Sequence, residues 1–428
     1  MRYLIFSIIV FLSYSNAIAQ DILQVNVIND KVAFSVNEDI YFKVEVNDVT
    51  FSKLKNKELT ISYAVEGDTD KEPISFNFLM KNNVEVIKIN KISAAQILRI
   101  KTSLMYDKSL LTKEIGIAID PERIATTVIK PHDFNTFWQE QIMNLDDIGL
   151  NPNVVQVPNL STADYDVYNI DYQVDKDGSR FYGVLTIPKG ATSKKYPALV
   201  IYPGAGVRGY VADTRFVADS VITLQVGVHG IPIDLPAQLY NSLTNGALKG
   251  YPYFNLQSKE LYYFNRVIKG SLRALDFLQT VEQFDGENIL TTGSSQGGAL
   301  SLIVTALDKR VKATAVFCPA LCQTNGTLFG KATGWPQPMK RVKMEEECTQ
   351  NWKNVIPYYD VVNFAKDINV PVFMTFGLID NVTPATTIFA AYNAIPSDKK
   401  YYLMADVQHA NHPIQMERVK EYILKKIK

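Results

Sequence analysis

The sequence predicts an α/β fold on a mainly parallel central sheet, preceded by a β-sandwich of immunoglobulin-like size. Three observations predict it. From residue 123 to 428, short apolar runs alternate with helical stretches, the pattern of a parallel sheet covered on both faces. From residue 20 to 122, segments with period-two alternation are separated by polar turns. Within the second region, Gly293-Ser294-Ser295-Gln296-Gly297-Gly298 joins an apolar run, Asn288 to Thr292, to a helical pattern, Ala299 to Leu307.

The chain opens with a stretch that does not belong to either unit. Arg2 is followed by a mostly apolar run, Leu4 to Leu12, and then by Ala17-Ile18-Ala19, an A-x-A pattern. These are the parts of a secretory leader, so residues 1–19 are expected to be a signal peptide and the mature chain to be secreted or periplasmic. The apolar run is too short for a membrane span, and no second long one follows. Lysine plus arginine equals aspartate plus glutamate, 44 against 44, which excludes the basic footprint of a nucleic-acid or anionic-membrane binder. The three cysteines, Cys318, Cys322 and Cys348, are too few for a disulfide scaffold and lack the histidine spacing of a zinc site. Export leaves two readings open: a Cys322–Cys348 pair or buried thiols.

Taken in order, the first unit offers strands at Leu23–Val27, Ile40–Val46, Leu59–Val65, Ile74–Phe78, Leu98–Lys101 and Ile115–Ile119. Its fold alone does not say whether it binds glycan or packs against its neighbour as a spacer. Pro131-His132-Asp133-Phe134 opens a helix in which Trp138 is a packing anchor. Tyr168–Val174 and Arg180–Ile187 form a hairpin around Asp177-Gly178. Strands follow at Ala198–Tyr202, Val221–Gln225, Ile289–Thr292, Ala313–Phe317, Val370–Phe376 and Tyr401–Met404, with helices near Leu261–Thr280 and Ile414–Lys428. An antiparallel hairpin leading into a parallel sheet fits the α/β-hydrolase fold. In that fold a strand–turn–helix carrying G-x-S-x-G is the nucleophile elbow, which points to Ser295 as a nucleophile.

A serine hydroxyl needs a base. The chain has four histidines, His132, His229, His409 and His412, and only the last two follow Ser295, as the order nucleophile, acid, histidine requires. His409 lies in the loop after a strand, whereas His412 precedes Pro413 at a helix start, so His409 is preferred. The acid should sit at a strand's carboxyl end. Asp380, in Gly377-Leu378-Ile379-Asp380-Asn381, does so; Asp360 and Asp367 precede the strand. Two donors are needed for an oxyanion. One is the N–H of Gln296, and the second comes from Pro203-Gly204-Ala205-Gly206, with Ala205 preferred and Gly204 as the alternative, since proline has no N–H. This chemistry calls for neither cofactor nor metal.

With these residues assembled, the chain from about Thr126 resembles the acetyl xylan esterase and cephalosporin C deacetylase group, carbohydrate esterase family seven. The resemblance rests on G-x-S-Q-G-G at Gly293–Gly298 and on Pro131 to Trp138. It rests also on Tyr262-Tyr263-Phe264-Asn265-Arg266-Val267, and on the acid loop with Phe389-Ala390-Ala391-Tyr392-Asn393 behind it. It implies Ser295 as nucleophile, Asp380 as acid, His409 as base, and Gln296 with Ala205 as oxyanion donors. It further implies removal of acetyl groups from plant-type glycans such as acetylated xylan. Two positions depart from the family pattern: His229-Gly230-Ile231 stands in place of R-G-Q, and Ala410 in place of glutamate. With the added N-terminal unit, these departures leave a homo-oligomer as an open expectation and the family's ring-like hexamer not carried over. Two other readings remain: an exported esterase or peptidase with another substrate, and a non-catalytic glycan binder. Trp335, Trp352, Tyr251, Tyr253 and Phe254 lie on expected loops, where they would stack on sugars or pack.

Overall fold

A computed structural model describes residues 22–28, 31–54, 59–67, 73–190, 195–341 and 346–427, without the side chains of residues 54 and 346–349. The expected leader and Cys348's side chain lie outside what is described.

The N-terminal strands are β1 (Leu23–Val27), β2 (Ala33–Phe34), β3 (Ile40–Val46), β4 (Thr60–Gly67), β5 (Ile74–Leu79), β6 (Val84–Ile89), β7 (Gln96–Tyr106) and β8 (Ser109–Ile119). They form a three-stranded sheet, β1-β3-β6, and a five-stranded sheet, β2-β8-β7-β4-β5. Alternate residues of β1 and β3 are buried, as period-two sequences dictate when one face is covered. Leu23, Phe42 and Val44 from one sheet share a hydrophobic cluster with Ile61, Ile100 and Ile117 from the other. Strands β2 and β6 were not anticipated: β2 is two residues long and pairs in parallel with β8, and β6 completes the edge of the smaller sheet.

The second region contains β9 (Asn153–Gln156), β10 (Tyr165–Gln173), β11 (Arg180–Pro188), β12 (Tyr196–Tyr202), β13 (Ile222–Gly227), β14 (Phe284–Ser294), β15 (Val311–Phe317), β16 (Val372–Gly377) and β17 (Lys399–Met404). One nine-stranded sheet takes the order β17-β16-β15-β14-β12-β13-β11-β10-β9. The six strands from β13 to β17 along it run parallel, and β9, β10 and β11 are antiparallel. The expected hairpin is there, Gln173 opposite Arg180, and its turn has Gly178 at φ 86°, a value an L side chain rarely adopts. In β12, β15 and β16 nearly every residue is buried, which alternation on a one-sided sheet would not allow. The helices Tyr263–Leu278, Gln296–Leu307 and Pro413–Ile427 supply the cover, with Val267, Leu275, Leu300, Ile303 and Ile423 in the shared core. Trp138 is 1% exposed and its Nε1 donates to Tyr358 O at 2.9 Å, the packing anchor expected of it. No helix of the described residues is long and apolar enough to cross a membrane.

The order of β14 at the centre, between β12 and β15, decides where chemistry can happen. Parallel strands end together, so the loops after β12, β14, β16 and β17 converge at one edge of the sheet.

Candidate active site

Strand β14 ends at Ser294 and the helix Gln296–Leu307 begins two residues later, leaving Ser295 alone to make the turn. It does so at φ 57°, ψ −119°, a strained conformation for a residue with a side chain. Neighbouring backbone holds the strain. Ser295 N–H donates to Phe317 O at 3.0 Å, and Ser295 O accepts from Ala299 and Ala320 N–H, each at 3.0 Å. The two flanking glycines have a steric reason. A Cβ on Gly293 would lie 2.4 Å from the Gly297 carbonyl carbon, and one on Gly297 would lie 2.0 Å from Tyr202 O. The helix can therefore start hard against β12 only because neither position carries a side chain.

The loops after β16 and β17 bring Asp380 and His409 to this turn. His409 Nε2 lies 2.9 Å from Ser295 Oγ, and His409 Nδ1 lies 2.7 Å from Asp380 Oδ2. Asp380 is 2% exposed, and four hydrogen bonds fix its carboxylate. Val382 N–H donates to Oδ1 at 2.7 Å and Thr383 N–H to Oδ1 at 2.9 Å; Thr383 Oγ1 donates to Oδ2 at 2.8 Å, and the His409 contact completes the set. A carboxylate accepts only, so the proton of this pair sits on Nδ1, and Nε2 is left as an acceptor facing the serine. Burial acts to lower the His409 pKa, but its side-chain contacts with Asp380 and Cys318 outweigh burial, and the pKa is raised above the ordinary histidine value.

The other candidates have different work. Asp360 caps the helix Val361–Ala365 and accepts from Gln323 N, Thr324 N and Thr324 Oγ1. Asp367 pairs with Lys130 at 2.6 Å. His412 N–H donates to Gln415 Oε1 at 3.0 Å, at the start of the last helix. Cys322 is a buried free thiol whose Sγ donates to the Pro319 and Ala320 carbonyl oxygens; the side chain of Cys348, the other half of the pair that export left open, lies outside the described residues.

Gln296 is the first residue of its helix, where a backbone N–H has no intrahelical acceptor. Across the turn runs the loop Pro203–Gly206. Arg208 holds it by donating to Gly204 O at 3.1 Å and Ala205 O at 2.8 Å, and Gly206 N–H donates to the Tyr251 hydroxyl at 3.3 Å. The loop N–H groups not drawn into these bonds are those of Gly204 and Ala205, and the former lies close to Ser295, its ideal Cβ 4.0 Å from Ser295 Cβ.

Sequence reasoning did not find what supports this loop. Tyr251, expected only to stack or pack, is 6% exposed and donates to Gln296 Oε1 at 2.8 Å. His229 sits beneath it. Its Nε2 is 3.0 Å from Gly206 O and its Nδ1 is 2.6 Å from the Tyr263 hydroxyl. Gly206 O can only accept, so the proton is on Nε2 and the tyrosine donates to Nδ1. Burial, reinforced by the nearby Arg266 and Arg208 charges, pushes His229 down to about 4 against a weaker upward pull from Gly206 O, so the ring is neutral. The one available signal was that His229 replaces an arginine of the family pattern. Tyr253 and Trp352 stack on each other at 6.1 Å, and Trp335 packs edge-on against Phe264.

A serine hydroxyl held 2.9 Å from an imidazole nitrogen, with helix-start N–H groups beside it, is an arrangement suited to acyl transfer. Comparisons with known proteins agree in kind. The family model described as acetyl xylan esterase matches residues 123–426. The acetyl esterase Axe7A of Xylanibacter ruminicola is 31% identical over 375 residues, covering 86% of this chain and 82% of that protein. The solved acetyl xylan esterase from Paenibacillus sp. R4 superposes with a TM-score of 0.64 at 26% identity, over 72% of this chain and 98% of that one. Acetyl xylan esterase 1 from Thermoanaerobacterium shares the fold at TM-score 0.63 and 22% identity, with the same coverage. The chain belongs to the acetyl xylan esterase family and is a carboxylic ester hydrolase.

Proposed function

We propose that the protein is an exported serine esterase that removes O-acetyl groups from plant-type oligo- or polysaccharides such as acetylated xylan. The observation that carries this reading is the 2.9 Å approach of His409 Nε2 to Ser295 Oγ, in a chain of this family. Ser295 Oγ attacks the acetyl carbonyl carbon while His409 Nε2 takes its proton. The oxyanion that forms is held by the N–H groups of Gln296 and Ala205. Its collapse breaks the bond to the sugar oxygen, which leaves with the proton from His409, and Ser295 carries the acetyl group. Water then gives a proton to His409 and attacks the acetyl carbon; acetate departs and the proton returns to Ser295. Asp380 stays ionised throughout and steadies the imidazolium.

The same reading divides the chain into a leader (1–19), an immunoglobulin-like sandwich (20–122) and an esterase domain (123–428). A separate hydrophobic cluster in the first unit and the family match from residue 123 support that division. Export rests on the leader pattern at Arg2 to Ala19.

Acetate release from a panel of acetylated glycans tests the proposal. Acetylated xylo-oligosaccharides should lose acetate to the wild type and not to Ser295→Ala. Preference for butyrate or longer acyl esters, or for peptide bonds, would replace deacetylation with another hydrolysis.

A further inference from the structure

The outer face of the five-stranded sheet does not look into solvent along its whole length. Gly116 of β8 lies opposite Arg99 of β7, and both residues reach the loops that carry Asp380 and His409. Gly116 N–H donates to Ala405 O at 2.7 Å, four residues before His409. Gly116 also receives Leu378, two residues before Asp380. A Cβ built on Gly116 would stand 2.3 Å from Leu378 Cβ and 2.9 Å from its carbonyl carbon and oxygen. Arg99, braced by Glu66 at 3.5 Å, donates to the side chain of Asn381, the residue after Asp380.

The two loops are also locked to each other. Leu378 N–H donates to Met404 O at 2.9 Å, and Gly377 is so close to Val407 that an added Cβ would lie 1.8 Å from its carbonyl oxygen. A push on either loop is therefore a push on both. The sheet's seat beside the esterase core is fixed independently. Ile97 and Ala118 belong to the esterase's hydrophobic core, and Asn393 Nδ2 donates to Pro121 O at 2.9 Å and Ile124 O at 3.0 Å. Beyond the contact, the two units part into an open cleft of about 640 Å³, lined by Lys101 and Glu114 on one side and Ile379 and Gln408 on the other.

We propose that the N-terminal two-sheet unit is a positioning element of the esterase site. Gly116 and Arg99 hold the acid and base loops so that Asp380 and His409 stay in register with Ser295. A spacer would have no reason to form a backbone hydrogen bond with the histidine's loop, nor to place a glycine where the acid's loop comes closest. This inference rests on the triad reading above. The rate of hydrolysis is sensitive to such placement, since an error of about 1 Å in a reacting group costs on the order of 100-fold.

The test is the rate at which a fluorophosphonate labels Ser295, measured across pH on the full chain with thermal unfolding in parallel. That reaction needs the triad but no particular acyl substrate. Gly116→Ala should keep a folded chain and lower the labelling rate by about tenfold or more. The histidine pKa in its rate profile should fall toward the ordinary value, because the Asp380 contact loosens. Arg99→Ala should lower the rate by about threefold to tenfold, and Arg99→Lys should recover part of it. Lys101→Ala, two residues along the same face but lining the cleft, should leave rate and profile unchanged. If Gly116→Ala does not fold, the Arg99 pair decides. Rates within about twofold of wild type for Arg99→Ala and any folded Gly116→Ala, with an unaltered profile, overturn the inference. A wild type that is not labelled at all overturns the serine-esterase reading and this one with it.

Discussion

The Tyr251 hydroxyl donates to Gln296 Oε1 at 2.8 Å and accepts from Gly206 N–H at 3.3 Å. One side chain thus ties together the two segments whose N–H groups flank Ser295. The other direct hydrogen bond between them is longer, from Gln296 Nε2 to Pro203 O at 3.5 Å, so the tyrosine carries the tighter link.

Tyr251→Phe removes both bonds and keeps the ring. Deleting an oxyanion donor outright costs 10²- to 10³-fold in kcat. Loosening the two proposed donors, the N–H groups of Gln296 and Ala205, should cost less, about tenfold, in kcat with KM nearly unchanged. Steady-state kinetics with 4-nitrophenyl acetate measure the split.

The raised pKa of His409 sets a sign for pH dependence. As the proposed base, His409 must be neutral to take the Ser295 proton, so kcat/KM should fall as pH drops through a value above the ordinary histidine pKa of about 6.5. Asp380→Asn removes the charge that favours the imidazolium and presents an amide to Nδ1, which also disturbs the tautomer. Its kcat should fall by about 10⁴-fold, with the acidic limb of the residual activity moved to lower pH.

His229 predicts an opposite linkage. Its folded pKa, about 4, is below the unfolded value of about 6.5, so protons bind the unfolded chain more readily. The contribution is complete above about pH 6.5 and is lost as pH falls toward 4. His229→Gln should therefore flatten the decline in stability over that window in urea titrations. A variant whose decline matches wild type would show that His229 is not the group responsible.

The crowding at Gly297 gives a stability prediction. A methyl group 2.0 Å from Tyr202 O cannot be accommodated by a side-chain rotation, because the obstacle is backbone. Gly297→Ala should lose about 3 kcal/mol or more in denaturant unfolding and reduce labelling at Ser295.

The elbow was legible because it is local. Two glycines around Ser295, a strand before and a helix after are all written within twenty residues, and chain order then singled out Asp380 and His409. The parallel strands were legible as apolar runs, to within a few residues at their ends. Strand β9 was not, since all of Asn153–Gln156 is exposed and the segment is a strand only because β10 offers it an edge. Tyr251 and Gly116 were invisible for a related reason. A tyrosine among aromatics, or a glycine among Ile115, Ile117 and Ala118, has no local signature when its partner lies 45 residues away, as Gln296 does from Tyr251, or in the other unit.

On the proposed mechanism an acetyl group passes through Ser295. Mass spectrometry of enzyme quenched in acid during turnover of an acetylated xylo-oligosaccharide tests it directly. The peptide containing Ser295 should carry the mass of one acetyl group, and the Ser295→Ala chain should carry none while releasing no acetate. Acetate released by Ser295→Ala at the wild-type rate would contradict an acetyl-enzyme on Ser295.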